Sequence, residues 1–125
     1  MDLSIEKKLI KADKAFKEWR NVPFGDKQKL IAKAAELFKN KAEIFGEIIT
    51  KEMNKPITQA ISEVGKSAMM MNYYAEADNV LKAEKIESEY AISEIHYAPK
   101  GVILGVMPWN FPFWQVLRFA TPAIL

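Results

Sequence analysis

Cysteine is absent from the 125 residues, and histidine occurs only once, at His96. The missing cysteine excludes disulfide bonds, thiolate metal sites and a cysteine nucleophile within this chain. His96 has no second histidine to act with as a metal ligand, so we expect no metal site and interpret His96 as a surface or strand residue. A chain without thiols is consistent with a reducing cytoplasm, which is the location we predict.

Excess charge of one sign is also missing, because 18 basic and 16 acidic residues give a formal net charge of +2. Nucleic-acid binding needs a clearly basic surface, so we predict no nucleic-acid partner. The N-terminal residues lack the apolar core of a signal peptide. The apolar tail from Gly101 to Leu125 is long enough for a membrane span. Its prolines and Arg118 argue against one, and we predict no membrane association.

Half of the residues are hydrophobic and 27% are charged, as in an ordinary globular domain. Residues 1–86 carry apolar residues at spacings of three and four, which predicts a region of about four amphipathic helices. Breaks fall near Pro23, Asn40 and Pro56, and Asp26 is predicted to cap the second helix. The predicted apolar stripes are Ile5, Leu9, Ala12, Phe16 and Trp19; Leu30, Ala34, Leu37 and Phe38; Ile44, Phe45, Ile48 and Ile49; and Ile57, Ala60, Ile61, Val64, Ala68, Met71 and Ala75.

Residues 87–125 form a second zone, rich in β-branched, aromatic and proline residues. The segment from Tyr90 to Tyr97 alternates and predicts a strand. The continuous apolar run from Val102 to Met107 is typical of a strand buried on both faces of a parallel sheet. A helix is expected from Phe113 to Phe119, with Thr121 and Pro122 interrupting it or lying at the start of another turn. The predicted fold class is α/β, with a helical region followed by a β-hairpin and a strand, turn and helix.

The turn Pro108-Trp109-Asn110-Phe111-Pro112 lies between that strand and that helix. Ligands of α/β sheets bind beyond the carboxyl ends of the strands. The amide of Asn110 can donate a hydrogen bond to a developing oxyanion there, and the flanking prolines restrict the backbone. The alternative is a capping or turn asparagine between two prolines, which spacing alone favours.

The segment from Pro99 to Pro112 resembles the first cofactor-binding strand and turn of the aldehyde dehydrogenase superfamily. Pro-Trp-Asn-Phe-Pro is highly specific to that family. Upstream, Lys51-Glu52-Met53-Asn54-Lys55-Pro56 is similar to its Glu-Met-Gly-Lys-Pro segment, and Glu63-Val64 and Tyr73-Tyr74-Ala75-Glu76 also match. The resemblance covers nearly the whole chain. Asn54 replaces the family's usual glycine, and asparagine tolerates the left-handed backbone that such a turn needs.

The resemblance implies an NAD- or NADP-dependent dehydrogenase that oxidises an aldehyde to an acid through a cysteine thiohemiacetal. Asn110 would be its oxyanion-hole side chain. Met107, Pro108, Trp109 and Asn110 would line the nicotinamide and its ribose, and Phe111 would wall the substrate funnel. The choice between NAD and NADP stays open. The resemblance further implies a homo-oligomer. Because the family's cysteine lies outside these residues, we interpret the chain as an N-terminal fragment that is inactive alone.

The stretch from Phe113 to Ala123 resembles succinate-semialdehyde dehydrogenases, several of which hold the substrate's distal carboxylate with an arginine at the offset of Arg118. Arg118 lies about two helical turns, or roughly 12 Å of rise, beyond Asn110, so it could reach the far end of a four-carbon semialdehyde. Arginine also suits carboxylate recognition. A surface arginine is an equally good interpretation. A lactaldehyde or general aliphatic aldehyde dehydrogenase would also fit the sequence, as would a non-catalytic oligomerisation module.

Overall fold

The computed structural model describes residues 3–78 and 82–125. Five helices and one two-stranded antiparallel sheet occur in these ranges. In chain order they are α1 (Leu3–Trp19), α2 (Phe24–Asn40), α3 (Ala42–Met53), α4 (Ile57–Glu76), β1 (Glu84–Lys85), β2 (Glu94–Ile95) and α5 (Pro112–Ile124). The α/β fold class and the four N-terminal helices are confirmed. No helix in the described ranges is long and apolar enough to cross a membrane.

The chain forms two compact units, of which the first comprises the described parts of Met1–Asn21 and Ala77–Ile103. In this unit β1 pairs antiparallel with β2, with Glu84 opposite Ile95 and Lys85 opposite Glu94. β2 lies inside the predicted strand, whereas β1 lies in a stretch that was predicted to be helical. The proposed division at residues 86 and 87 falls between the two strands and stays a proposal. His96 is an exposed residue 3.0 Å from Glu94, as expected for a surface histidine.

The second unit comprises Val22–Glu76 and Leu104–Leu125, and α4 lies at its centre. Helices α2, α3 and α5 each pack against α4. Most of the buried side chains of α4 are small or of medium size, which lets the three other helices approach it closely. The buried apolar residues of this unit are Ile31, Ala35, Ile49, Ala60, Val64, Ala68, Met71 and Leu125.

The buried face of α2 differs from the predicted stripe. Ile31 and Ala35 are buried, whereas Leu30 and Leu37 are exposed. Ala34 and Phe38 of the predicted stripe do pack against the core, so the buried face is rotated towards Ile31 and Ala35 and excludes only Leu30 and Leu37. The prediction that Asp26 caps α2 is wrong. α2 begins at Phe24, and the Asp26 carboxylate lies within the first turn, 2.8 Å from the ammonium group of Lys29.

The predicted strand from Val102 to Met107 has no helix or strand assignment in the described structure. A strand exists only where a neighbouring strand completes its hydrogen bonds, and no described strand pairs with this run. Its side chains accordingly remain uncovered, with Leu104 at 87% and Val106 at 85% exposure. The predicted interruption at Thr121 and Pro122 is also wrong, because α5 continues through Pro122 to Ile124.

Candidate functional site

The link between α3 and α4 is set by Asn54. This residue closes α3 in the left-handed conformation, with φ 56° and ψ 26°, and its N–H donates to the carbonyl of Thr50 at 2.9 Å. The structure confirms that asparagine adopts the backbone expected at this turn. Lys55 follows directly, and Pro56 accepts the first hydrogen bond of α4 from the N–H of Ala60 at 3.0 Å. The turn therefore holds Lys55 at the start of α4.

The N-terminus of α5 is capped from another helix. Its first residue, Pro112, has no N–H, and the N-cap residue Phe111 offers no side-chain acceptor. One carboxylate oxygen of Glu63, on α4, accepts the N–H groups of both Phe113 and Trp114 at 3.1 Å. The N–H of Gln115 donates to the carbonyl of Phe111 at 2.9 Å. Every backbone donor of the first turn of α5 is thus satisfied, and the negative charge suits the helix dipole.

Lys55 neutralises the other oxygen of Glu63 in a buried ion pair, with side-chain exposures of 9% and 2%. The same ammonium group donates to the backbone carbonyl of Asn110 at 3.3 Å and lies 3.7 Å from the centre of the Phe111 ring. A buried carboxylate is costly unless it is paired and hydrogen-bonded, and here both oxygens are occupied. Lys55 and Glu63 together therefore fix the turn and the helix that follows it.

An aromatic cluster anchors the same end of α5. The ring centre of Phe113 lies 5.5 Å from those of both Phe38 and Phe45, which are 4.9 Å apart. At the opposite end, the buried ammonium of Lys27 donates to the Leu125 carbonyl at 3.2 Å. A carboxylate at the N-terminus and an ammonium at the C-terminus both match the helix dipole. These contacts hold α5 at a fixed place on the helical layer.

The residues that the sequence singled out for the cofactor and the oxyanion lie in the run and turn just before α5. Asn110 is exposed, and its side chain makes no hydrogen bond to any described residue. It does not cap α5, since Phe111 occupies that position and Glu63 supplies the acceptor. Trp109 is 66% exposed, Pro108 is exposed and Met107 is half-buried. The turn thus presents an aromatic ring and an unused amide to solvent.

An open cavity of about 520 Å³ lies between the first half of α4 and the N-terminal part of α5. Phe111 lines it, and its role as a wall of a substrate funnel stays a prediction. Lys66 also lines it, with its ammonium 4.7 Å from the centre of the Trp114 ring. The remaining lining residues are Lys55, Thr58, Gln59, Ser62, Glu63, Trp114 and Gln115. Since Glu63 is already paired with Lys55, Lys66 gives this cavity an added positive charge.

Arg118 is exposed on α5 and is not among the residues that line the cavity. It lies three and four residues beyond Gln115 and Trp114, both of which do line it. Residues at those spacings share a helical face. α5 begins only at Pro112, so the two helical turns counted from Asn110 to Arg118 are not continuous helix, and the carboxylate role of Arg118 stays a prediction.

Sequence reasoning assigned no role to Lys55 and Glu63, although both lie in segments that resemble the family. One signal could have revealed Glu63. On α4 the buried residues are Ala60, Glu63, Val64, Ser67, Ala68 and Met71, so this carboxylate lies within the apolar stripe. A charged residue on a buried face requires a partner, and the nearest upstream cation is Lys55. Among the described residues, no group of three or more His, Cys, Asp or Glu side chains could hold a metal ion.

Comparison with known proteins gives a consistent result. A sequence profile of the aldehyde dehydrogenase family matches residues 3–125. The probable NADP+ succinate-semialdehyde dehydrogenase of Synechocystis sp. is 41% identical over 124 residues, which are 98% of this chain and 27% of that protein. The NAD(P)+ succinate semialdehyde dehydrogenase Sad of Escherichia coli is also 41% identical, over 97% of this chain and 26% of its own length.

The fold agrees with these sequence matches. The crystal structure of succinic semialdehyde dehydrogenase from Streptococcus pyogenes in complex with NADP+ aligns with a TM-score of 0.91 and 30% identity. The alignment covers 98% of this chain and 28% of that one. The chain therefore spans about a quarter of the length of the relatives it matches.

Proposed function

The chain belongs to the aldehyde dehydrogenase family, and on this basis we propose that it forms the N-terminal part of a succinate-semialdehyde dehydrogenase. That enzyme would oxidise the aldehyde to a carboxylic acid with NAD or NADP. The similarity to such enzymes over nearly all of this chain supports the substrate class. The reactive cysteine would come from outside these 125 residues, since the chain has none.

The observation that best supports this proposal is the free amide of Asn110. The alternative role of this residue was to cap the following helix, and the carboxylate of Glu63 fills that role instead. The Asn110 amide is left exposed on a backbone that Lys55 holds by its carbonyl. A neutral amide donor on a backbone held in this way can stabilise negative charge as it develops on an aldehyde oxygen under attack. We assign that role to Asn110.

The residues proposed for the cofactor fit a nicotinamide nucleotide. Trp109 presents a ring at 66% exposure beside the exposed Pro108, and Val106 adds apolar surface at 85% exposure. A flat ring with polar edges can lie on such a surface. Met107, Pro108, Trp109 and Asn110 would hold the nicotinamide and its ribose. When bound, this group would supply the hydride acceptor for aldehyde oxidation. The residues of this chain would orient its ring and exclude water from one side.

The cavity suits a short aldehyde that carries a distal anion. Phe111 and Trp114 give it apolar walls, and Lys66 contributes a positive charge. Arg118 lies three and four residues beyond Gln115 and Trp114, a spacing that shares a helical face with these two cavity residues. We propose that Arg118 binds the distal carboxylate of succinate semialdehyde, with Phe111 shaping the path towards Asn110.

The experiment replaces the matching segment of the E. coli relative with this chain, and the product is called here the joined enzyme. We expect it to reduce NADP with succinate semialdehyde faster than with butanal, which lacks the carboxylate. A preference for uncharged aldehydes would favour the lactaldehyde or aliphatic alternative. A folded joined enzyme without turnover on any aldehyde would contradict the proposal. The non-catalytic oligomerisation module would then be the remaining interpretation. The unmodified E. coli enzyme is the control for both substrates.

A homo-oligomeric state and a cytoplasmic location complete the proposal. Both rest on the family resemblance and on composition. The mass of the joined enzyme in solution, compared with the mass calculated for one chain, tests the oligomer.

A further inference from the structure

The Lys55–Glu63 pair lies behind the proposed oxyanion donor. Glu63 reaches α5 through two backbone N–H groups, and Lys55 reaches the turn through the Asn110 carbonyl and the Phe111 ring. The side chains of Glu63 and Lys55 are 2% and 9% exposed, so the pair is buried at the edge of the open cavity that both residues line. Their contacts on the turn are to backbone groups and to the Phe111 ring. The Asn110 side chain itself is left free.

We propose that Lys55 and Glu63 are positioning residues that hold the Asn110 amide in place for oxyanion stabilisation. This inference rests on the proposed function. Asn110 follows a run without regular secondary structure, so its place is determined mainly from the α5 side. Glu63 holds the first turn of α5 against α4. Lys55, just before the N-terminus of α4, holds the carbonyl of Asn110.

The physical argument is preorganisation. An oxyanion donor is effective only when it already points to where the charge develops, and a displacement of about 1 Å can lower the rate roughly 100-fold. Charge-assisted hydrogen bonds in a buried site are stronger than neutral ones and resist such displacement. A glutamine at position 63 could still accept from the two amides but would lose its charge and its strong contact with Lys55. The turn would then sample more positions.

The test uses Glu63→Gln and Lys55→Met in the joined enzyme. Each should lower kcat roughly 10- to 100-fold. KM for succinate semialdehyde should change less than about twofold, because the donor acts mainly in the transition state. The fall in kcat should be the same for butanal, since both aldehydes depend on the same oxyanion donor. The double variant should lose no more than the worse single variant, because the two residues act as one unit.

A second background separates positioning from general stability. In an enzyme that already carries Asn110→Ala, Glu63→Gln should lower kcat less than about twofold, because no donor remains to be positioned. A purely structural role would give the same loss in both backgrounds. If Glu63→Gln yields no soluble protein, Lys55→Met is compared in the same two backgrounds instead. In that variant Glu63 keeps its hydrogen bonds from the two N–H groups of α5.

The matched control is Glu47→Gln, which removes the same charge from the exposed Glu47–Lys51 pair on α3. This variant should leave kcat unchanged. Unchanged kcat in both Glu63→Gln and Lys55→Met, with Asn110→Ala strongly impaired, would overturn the positioning role and leave the proposed function intact. A joined enzyme in which Asn110→Ala also has no effect would instead count against the proposed function itself.

Discussion

Two glycines on packed helices allow the arrangement of α3 and α4 to be tested with one substitution made twice. A Cβ atom on Gly46 of α3 would lie 2.7 Å from the Cγ1 atom of Ile61 and 3.1 Å from its backbone nitrogen. A Cβ on Gly65 of α4 would meet nothing within 4 Å. Both glycines lie inside helices, so alanine gains the same helix propensity at either position, about 1 kcal/mol.

The difference between the two alanine variants therefore isolates the steric cost at Gly46. Overpacking a core costs roughly 1–3 kcal/mol. A rotation of the Ile61 side chain could move its Cγ1 atom away from the new Cβ, but it would leave the close contact with the Ile61 backbone nitrogen in place. We expect Gly65→Ala to raise the free energy of unfolding by about 1 kcal/mol. Gly46→Ala should leave it unchanged or lower it by up to about 2 kcal/mol.

Urea unfolding of the 125-residue chain, followed by circular dichroism, compares both variants at one protein concentration, so that self-association affects the two alike. The slope of the transition should be the same for both, so the midpoints report stability directly. Equal stabilisation by Gly46→Ala and Gly65→Ala would refute the close packing of α3 on α4. That result would also weaken the placement of Lys55, which lies just beyond the end of α3.

Three further outcomes are expected. In the joined enzyme, Arg118→Leu should raise KM for succinate semialdehyde and have little effect on KM for butanal. The matching loss in kcat/KM for succinate semialdehyde should correspond to roughly 1.5–3 kcal/mol. Equal effects on the two aldehydes would indicate a surface arginine. The purified 125-residue chain should show no aldehyde-dependent NADPH formation, because it has no cysteine, and any genuine turnover would contradict this. The same chain should self-associate in light scattering, because Leu104 and Val106 are uncovered; a stable monomer at high concentration would reject that argument.

The helices could be predicted from the sequence because each carries an apolar stripe that persists for several turns. The orientation of α2 could not, since Ile31 and Leu30 are similarly apolar and only the fit against α4 decides between them. The strand from Val102 to Met107 was predicted from its composition alone. Composition shows that a run is suited to burial, but strand hydrogen bonds require a partner, and none of the described strands pairs with it.

Part of the candidate site could also be predicted. The turn sequence indicated Asn110 only through its resemblance to the aldehyde dehydrogenase family, because spacing alone favoured a turn or capping role. The left-handed Asn54 was expected from the family's glycine at that position and from the tolerance of asparagine for that backbone. The Lys55–Glu63 pair was missed because its contacts with α5 are visible only in the three-dimensional structure. Glu63 and Trp114 are 51 residues apart, and no local pattern connects a carboxylate on one helix with the N–H groups of another.

We propose that Asn110 supplies the oxyanion donor of an aldehyde dehydrogenase. Single-turnover NADPH formation by the joined enzyme tests it most directly, with Asn110→Ala compared against Asn72→Ala on α4 as a matched control. We expect Asn110→Ala to slow the chemical step by roughly 10²–10³-fold and Asn72→Ala to leave it unchanged. An unaltered single-turnover rate in a folded Asn110→Ala enzyme would show that Asn110 is not the oxyanion donor and is only a turn residue.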